Sequence, residues 1–423
     1  MDLIEARYLI ETPFEPEKIA TIIAGEQSSG TFVRVAGETD ELRERCAASV
    51  LSIRELAPAD HPSLQSAYLT ARGINGPYRR AEVRVGFPVD NIGHNLATLA
   101  ATVSGNLYDL GEVTGLKLMD IKLPKAYRDL YDYPVAGTKG TRERMKVHDR
   151  PFFGTIIKPN VGMRTHDIAD LVEQLCEAGV DFIKDDEVCA NPASAPITDR
   201  IPAIMERVRA YRDRTGRDVM IAFNITDETD AMRRHADLIA ENGGSCAMVS
   251  MNWTGLSALQ TLRGSTDLVL HGHRNGFGAL SRHPLIGMAF PAYQTLYRLT
   301  GMDHMHVHGM GGKFCDEDSE VQASAQICAA PLAPGNGDED HVLPVFSSGQ
   351  WAGTIPATYD AVGSSDFMFL AGGGILAHPS GPSAGIKSLR QAWDACEAGV
   401  SLEKHATGHS ELAEALTFYG ARG

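Results

Sequence analysis

The sequence predicts an α/β fold with a C-terminal (β/α)8 TIM barrel preceded by an α+β N-terminal domain. From about residue 152 onward, apolar runs of strand length alternate with amphipathic helical stretches, as expected of parallel strands covered on both faces. Residues before about 125 lack this alternation. We therefore expect an N-terminal domain over 1–125, a connection over 126–150 and the barrel over 151–423. An open doubly wound sheet is the alternative.

Each element of the predicted fold has a local signature. Eight segments are predicted strands: FFGTIIKP (152–159), DFIKDDE (181–187), VMIAFNIT (219–226), CAMVSMNW (246–253), LVLHGHR (268–274), HMHVHG (304–309), LPVFSSG (343–349) and DFMFLAGG (366–373). Between the first two, Ile168, Val172 and Leu175 share one helical face, and Gly179 stands where a C-cap glycine is expected. In the N-terminal part, residues 38–53 predict a helix and residues 80–89 a strand.

Composition and charge exclude several classes of protein. Hydrophobic residues make up 43% and charged residues 22% of the chain, as in soluble globular proteins. The formal net charge of −15 argues against a nucleic-acid partner. The seven cysteines include no CxxC pair and predict reduced thiols. We expect a cytoplasmic protein, because no signal peptide is seen and no run approaches the ~18 apolar residues that span a membrane.

Polar residues or glycines stand at the ends of all eight predicted strands, where barrel enzymes place their catalytic groups. These ends carry, in chain order, Lys158; Lys184, Asp186 and Glu187; Asn224; Asn252; His271, His273 and Arg274; His304, His306 and His308; Ser347 and Ser348; and Gly372, Gly373 and Gly374. Because the carboxyl ends of parallel strands meet at one face, we expect an active site there.

Lys184, Asp186 and Glu187 predict a site for a hard divalent cation. Two carboxylates suit Mg²⁺, which keeps waters and substrate oxygens among its ligands. Lys184 shares a strand face with Asp186 and is either its counter-ion or a lysine carbamylated by CO2. A carbamate would supply a third carboxylate-like ligand. Its formation needs a neutral amine, and this predicts a pocket or a bound metal that favours the neutral form or traps the product.

The histidines of the sixth strand allow two interpretations. His304, His306 and His308 alternate on one face, as the ligands of some zinc hydrolases do. Histidines near Arg274 fit better as phosphate ligands or as acid–base groups.

Two glycine-rich loops also allow two interpretations each. The run Gly372–Gly374 precedes a helix expected near Pro382 and predicts either phosphate-binding backbone N–H groups or a tight turn. Lys313, in GMGGKF, lies either on a mobile lid that brings a cation over the substrate or in a solvated loop.

Several motifs resemble the RuBisCO superfamily large subunit, over nearly the full length of the chain. They are GTIIKPNVG (154–162), GVDFIKDDE (179–187), LHGHR (270–274), DHMHVHGMGGK (303–313), LPVFSSG (343–349), AGGGILAHPSGPSAG (371–385), GEQSSGTF (25–32) and SGNLYDL (104–110). The resemblance implies Mg²⁺ with a CO2-derived carbamate on Lys184, and a homodimer or a higher homo-oligomer built from dimers.

The resemblance also implies roles for individual residues. Lys184 corresponds to the carbamylated lysine, and Asp186 and Glu187 correspond to the other Mg²⁺ ligands. The further site residues are Lys158, His273 and Lys313 in catalysis; Arg274, His306 and Ser347 at one phosphate; Thr31, Gly349, Gly373 and Gly374 at the other; and Glu26 and Asn106 contributed by the partner subunit.

Departures from the family pattern indicate a RuBisCO-like protein (form IV) that does not fix CO2. Asn160 replaces a second lysine of the carboxylases, and Phe32 replaces their tryptophan. Val307 and His308 stand where they have a serine-glycine pair. Asn106 stands where the enolases of methionine salvage use a lysine base, which argues against that role.

The implied chemistry is a metal-bound enediolate of a sugar-acid phosphate. Some members of the superfamily that the chain resembles act on 3-oxo-isoapionate 4-phosphate in D-apiose catabolism, and the resemblance implies decarboxylation of that substrate. Loss of CO2 from such a β-keto acid leaves an enediolate that Lys158 can protonate. The alternatives are a transcarboxylase/hydrolase acting on the same substrate, a sugar-phosphate enolase or isomerase, and a non-catalytic phosphate-binding protein.

Overall fold

The computed structural model describes residues 2–30, 35 and 37–421, so that Thr31 and Phe32 lie outside the described residues. The β-strands are β1 (Leu3–Thr12), β2 (Ser49–Ala59), β3 (Tyr78–Pro88), β4 (Gly115–Lys122), β5 (Phe152–Ile156), β6 (Phe182–Lys184), β7 (Met220–Asn224), β8 (Cys246–Ser250), β9 (Val269–His273), β10 (Ile286–Met288), β11 (His304–His308), β12 (Leu343–Phe346) and β13 (Met368–Leu370).

The α-helices are α1 (Pro16–Glu26), α2 (Asp40–Cys46), α3 (Ala67–Ala71), α4 (Val89–Ile92), α5 (Leu96–Ser104), α6 (Lys125–Arg128), α7 (Gly137–Met145), α8 (Thr165–Ala178), α9 (Ile197–Thr215), α10 (Thr229–Glu241), α11 (Met251–Thr254), α12 (Leu256–Arg263), α13 (Gly278–Ser281), α14 (Phe290–Arg298), α15 (Asp318–Cys328), α16 (Ile355–Val362), α17 (Gly373–Leu376), α18 (Pro382–Glu397), α19 (Leu402–Ala406) and α20 (Ser410–Gly420). Short 3-10 helices span Asn106–Asp109, Asp338–Asp340 and Ala352–Thr354. In the part of the chain that the structure describes, no helix is both long and apolar enough to cross a membrane.

The first compact unit comprises Met1–Asp132, Gly276–Thr300 and Pro331–Gly337. Its five-stranded sheet has the order β10-β4-β1-β3-β2, in which β10 is parallel to β4 and the other pairs are antiparallel. The segment 276–300, which sequence reasoning placed with the barrel, thus supplies a strand to this sheet.

The helix predicted over residues 38–53 is shorter in the structure. α2 ends at Cys46, Ala47 is already extended, and the residues that follow form β2. Val50 and Ile53 pair with Val85 and Val83 of β3, so pairing between β-branched residues overrides the local helical pattern.

The second unit comprises Tyr133–Asn275, Gly301–Ala330 and Asp338–Gly423 and contains a closed barrel. Its eight strands run parallel in the order β5-β6-β7-β8-β9-β11-β12-β13. Each strand lies within one of the eight predicted segments, so the predicted barrel is confirmed and the doubly wound sheet was wrong. Phe152, Phe182, Met248, Val345 and Leu370 belong to its buried core.

Two helix ends illustrate how local sequence shapes the barrel. α8 buries Ile168, Val172 and Leu175 and ends at Gly179, whose φ of 90° is a left-handed conformation that costs glycine little. α18 begins at Pro382, whose fixed φ suits the first position of a helix.

Candidate active site

The ammonium of Lys184 is buried at the carboxyl end of β6, with 2% of the residue exposed. Its Nζ donates to the carbonyl of Asp185 at 2.9 Å and lies 3.6 Å from Glu187 Oε2 and 3.6 Å from Met248 Sδ. Burial lowers the pKa of this ammonium and outweighs the opposing effect of the neighbouring carboxylates. The pocket therefore favours the neutral amine that carbamylation requires.

The carboxylates of Asp186 and Glu187 have different partners. Asp186 is 1% exposed, and its Oδ2 accepts a hydrogen bond from Lys158 Nζ at 2.5 Å. Glu187 Oε2 lies 3.7 Å from His273 Nε2. The side-chain amide of Asn224 donates to the carbonyls of Asp186 and Glu187 at 3.0 and 3.2 Å and so holds their backbone in place.

These residues fit a Mg²⁺ site if Lys184 is carbamylated. Among residues 2–30, 35 and 37–421, no group of three His, Cys, Asp or Glu side chains is placed to hold a metal ion. Asp186 and Glu187 supply two carboxylates, and the low-pKa amine of Lys184 lies beside them. A carbamate on this amine would complete a set of three oxygen-donating anions, of the kind that Mg²⁺ prefers.

Asp185 has a structural role, although it stands between two site residues. Its Oδ2 lies 3.1 Å from Nη2 of Arg200 and accepts from the backbone N–H of Asn224 at 2.9 Å. Both members of the ion pair are buried. Burial raises the pKa of Asp185, against the charge of Arg200. The pair anchors the end of β6 to α9.

His273, from the end of β9, faces the Glu187 carboxylate with one ring nitrogen. Its Nδ1 lies 3.1 Å from Asn275 Oδ1, and its ring centroid is 4.4 Å from that of His306. Burial lowers the pKa of His273 to about 3. The imidazole is therefore neutral at neutral pH.

A chain of hydrogen bonds connects three histidines through the barrel interior. His304 Nε2 lies 2.8 Å from Thr141 Oγ1, and His304 Nδ1 lies 3.2 Å from His271 Nδ1. His271 Nε2 then meets His306 Nε2 at 2.8 Å, and His306 Nδ1 meets Ser347 Oγ at 2.9 Å. Burial lowers the pKa of all three imidazoles, that of His304 to about 3. We name the hydrogen-bonded series from Thr141 through these three histidines to Ser347 the histidine chain.

Arg274, Asp316 and His308 form a second polar cluster. Asp316 Oδ2 lies 3.0 Å from Arg274 Nη2 and also hydrogen-bonds His308 Nδ1. His308 has a positive φ of 69°, and the register between β11 and β12 shifts between His306 and His308. The alternation that put three histidines on one face thus ends before His308, so the histidines do not form the set that the zinc interpretation requires.

Sequence reasoning missed Asp316. It stands eight residues after His308, beyond the glycine-rich loop, and no periodic pattern relates it to the strand. The run of acidic residues from 316 to 318 was the signal available, but such runs are usually solvated.

The remaining predicted residues lie at the loops and in the first unit. Lys313 is exposed, and its Nζ lies 5.3 Å from the Phe314 ring centroid. A Cβ at Gly374 would lie 2.5 Å from the Gln350 carbonyl oxygen, whereas one at Gly373 would meet no atom within 4 Å. The other residues are Gly349, with φ 80°; Glu26, at the end of α1; and Asn106, at the start of the 3-10 helix of the first unit.

Comparison with known proteins matches nearly the whole chain to one family. Residues 137–419 match the ribulose bisphosphate carboxylase large chain, catalytic domain, and residues 2–127 match its N-terminal domain. A 3-oxo-isoapionate-4-phosphate decarboxylase of Rhizobium etli is 42% identical, over 98% of each chain. A 3-oxo-isoapionate-4-phosphate transcarboxylase/hydrolase of Xanthobacter autotrophicus is 43% identical, over 98% of this chain and 99% of that protein.

Among solved structures, a rubisco-like protein from Burkholderia fungorum is 57% identical, with a TM-score of 0.94 over 99% of this chain and 100% of that one. The resemblance seen in the motifs is thereby confirmed along the full chain. The protein belongs to the RuBisCO large-chain family, among its RuBisCO-like members.

Proposed function

We propose that this protein is a Mg²⁺-dependent carboxy-lyase that releases CO2 from 3-oxo-isoapionate 4-phosphate, and that it is not a ribulose-bisphosphate carboxylase. The names of the two relatives support the substrate. The observation that carries the proposal is the buried Lys184, whose pKa is lowered by burial beside two acidic side chains. A lysine in that position is poised for carbamylation.

Lys184 as a carbamate, with Asp186 and Glu187, would hold the ion. Bound there, Mg²⁺ supplies positive charge that stabilises negative charge developing on substrate oxygens. The side-chain amide of Asn224 donates to the backbone carbonyls of Asp186 and Glu187 and thereby fixes the backbone that carries the two carboxylates. Lys313 on its loop would add a cation over the bound substrate, as the family resemblance implies.

The proton needed after CO2 loss comes from Lys158 in this proposal. The bond between the carboxylate carbon and the adjacent carbon of the substrate breaks and CO2 leaves. The electron pair of this bond moves toward the neighbouring carbonyl group, giving an enediolate. The Lys158 ammonium then returns a proton to carbon. Lys158 Nζ now lies 2.5 Å from Asp186 Oδ2; if Asp186 held a metal ion, this contact would weaken and the ammonium would be free to face the substrate.

Asn160 supports a departure from carboxylation. Its Oδ1 accepts a hydrogen bond from Lys158 Nζ at 2.9 Å. The residue therefore orients Lys158 and adds no positive charge, whereas the resemblance implies a second lysine here in the carboxylases. The site keeps one ammonium where the carboxylases have two.

The transcarboxylase/hydrolase is the second candidate, because a relative with that name is as similar as the decarboxylases. A sugar-phosphate enolase or isomerase uses the same enediolate and remains the third. A dimer is part of the proposal, since the resemblance assigns Glu26 and Asn106 to the active site of the partner subunit.

The test is incubation of the full-length protein with Mg²⁺, bicarbonate and 3-oxo-isoapionate 4-phosphate. The expected products are CO2 and an erythrulose phosphate. Glycolate with a phosphoglycerate would assign the hydrolase instead, and no turnover would refute both reactions. Loss of turnover in Lys184→Ala would exclude a non-catalytic phosphate-binding protein.

A further inference from the structure

Arg274, His306 and Ser347 make up one of the two phosphate sets that the family resemblance implies. In this chain each of them is engaged by the protein itself. Arg274 Nη2 lies 3.0 Å from Asp316 Oδ2, and both nitrogens of His306 belong to the histidine chain. The charge and one terminal nitrogen of Arg274, both ring nitrogens of His306 and the Ser347 hydroxyl are therefore already engaged at this position.

The direction of the hydrogen bonds in the histidine chain follows from its far end. The Thr141 hydroxyl has one proton, and its nearest acceptor is the Gly137 carbonyl at 2.5 Å. Thr141 Oγ1 must then accept from His304 Nε2–H. A neutral imidazole has one N–H, so His304 Nδ1 accepts from the Nδ1–H of His271.

The same rule carries the direction to Ser347. His271 Nε2 accepts from His306 Nε2–H, which leaves His306 Nδ1 as an acceptor for the Ser347 hydroxyl. Ser347 therefore directs its only proton into the barrel. Toward a ligand it presents oxygen lone pairs, which suit a hydrogen-bond donor and not an oxyanion.

Asp316 also makes this end of the site less suited to an anion. Burial opposes ionisation of Asp316, but the hydrogen bond from His308 and the charge of Arg274 outweigh it and lower the pKa of the carboxyl. The Asp316 and Arg274 charges cancel. Because Asp316 accepts the Nδ1–H of His308, the lone pair of the neutral imidazole lies on Nε2. This end of the site is rich in acceptors and has no net charge.

We propose that the cluster of Arg274, Asp316 and His308, with Ser347, is a hydroxyl-binding subsite that rejects a second phosphate group. The substrate's single phosphate is left to the other set, which includes Gly349, Gly373 and Gly374. The inference rests on the proposed function for the number of phosphates, because the substrate proposed there carries one. Asp316 and His308 are in this view the specificity-determining residues of the chain.

The test compares the dissociation constants of ribulose 5-phosphate and ribulose 1,5-bisphosphate by calorimetry, using the full-length protein with Mg²⁺ and bicarbonate. In the wild type the second phosphate should improve binding by less than about threefold. In Asp316→Asn, which removes the counter-charge of Arg274, it should improve binding by about tenfold or more. Asp213→Asn, at an exposed carboxylate on α9, is the charge-matched control and should change neither constant.

A second variant keeps the test decisive if Asp316→Asn folds poorly. Ser347→Ala removes a hydrogen-bond acceptor and should weaken the binding of ribulose 5-phosphate about tenfold while leaving the binding of inorganic phosphate unchanged. A wild type that binds the bisphosphate more than tenfold tighter than the monophosphate would overturn the inference. Loss of inorganic phosphate binding in Ser347→Ala would overturn it as well.

The inference and the proposed function can fail separately. CO2 release from 3-oxo-isoapionate 4-phosphate by a protein that prefers the bisphosphate would leave the function intact and refute the hydroxyl subsite. The predicted binding pattern in a protein that releases no CO2 would do the reverse.

Discussion

Replacing Lys184 with glutamine is the most direct test of the metal site. The substitution keeps a long polar side chain in the pocket but removes the amine that CO2 would modify. We take the 3.6 Å between Lys184 Nζ and Glu187 Oε2 as the distance between two charges in this site. Two opposite unit charges at that distance attract each other by about 4 kcal/mol at an effective dielectric constant of about 20, so losing one anionic ligand of Mg²⁺ should cost at least that much. Because each 1.4 kcal/mol is tenfold, Mg²⁺ should bind about 10³-fold more weakly.

Two measurements check this prediction. Calorimetric titration gives the Mg²⁺ dissociation constant in the presence of bicarbonate. Carbon-13 NMR with labelled bicarbonate detects a protein-bound carbamate that should be present in the wild type and absent from Lys184→Gln. The matched control is Lys387→Gln, because the Lys387 side chain is 63% exposed on α18 and its loss should alter neither measurement.

The reasoning fails if Lys184→Gln keeps its Mg²⁺ affinity within about threefold of wild type. It also fails if the bound carbamate signal persists in the variant. Thermal unfolding of the wild type and of Lys184→Gln separates loss of the metal ligand from loss of the fold. A buried glutamine without a hydrogen-bond partner should lower the free energy of unfolding by about 1–3 kcal/mol.

Three further predictions address the proton donor, the framework and the pH dependence. Lys158→Met should lower kcat for CO2 release by about 10²-fold or more, because the enediolate loses its proton donor; a change below threefold would exclude that role. Arg200→Met should lower the free energy of unfolding by about 3–5 kcal/mol, because it leaves Asp185 buried without its ion-pair partner; urea denaturation showing less than 1 kcal/mol would contradict this. Since burial lowers the pKa of His304 from 6.5 to about 3, the unfolded chain binds a proton between these values that the folded chain does not. Stability should therefore fall as pH decreases through this window, by up to about 1.4 kcal/mol per pH unit for this group, and His304→Gln should flatten the curve. Equal slopes for the two proteins would refute the assignment.

The barrel was predictable because its strands are buried on both faces and its helices have one buried face, so each element carries its own periodic signal. The strand ends were predictable for the same reason. Lys184 and His273 are the last residues of β6 and β9, and Lys158 stands two residues after the end of β5. β10 was not, because its three residues are only partly buried and pair with β4 through a contact remote in sequence.

Within the site, local sequence identified residue types but not their partners. Period-2 alternation predicted that Lys184 and Asp186 share a strand face, but β6 ends at Lys184, and the structure pairs Lys184 with Glu187 and Asp186 with Lys158. Long side chains choose among several carboxylates within reach, and that choice depends on burial, which only the folded chain defines. The link from Asp316 to His308 and Arg274 depends on the path of a loop, and no pattern in the strands specifies it.

The position of β10 has a consequence for biosynthesis. Four strands of the first sheet are complete once Lys122 has been made, but the fifth arrives only with Ile286–Met288. Until then β4 is an edge strand with unpaired backbone groups along the side that β10 later covers, and such edges promote aggregation. We expect a fragment ending near residue 130 to expose this edge and to self-associate, whereas the full chain covers it after most of the barrel strands have emerged from the ribosome.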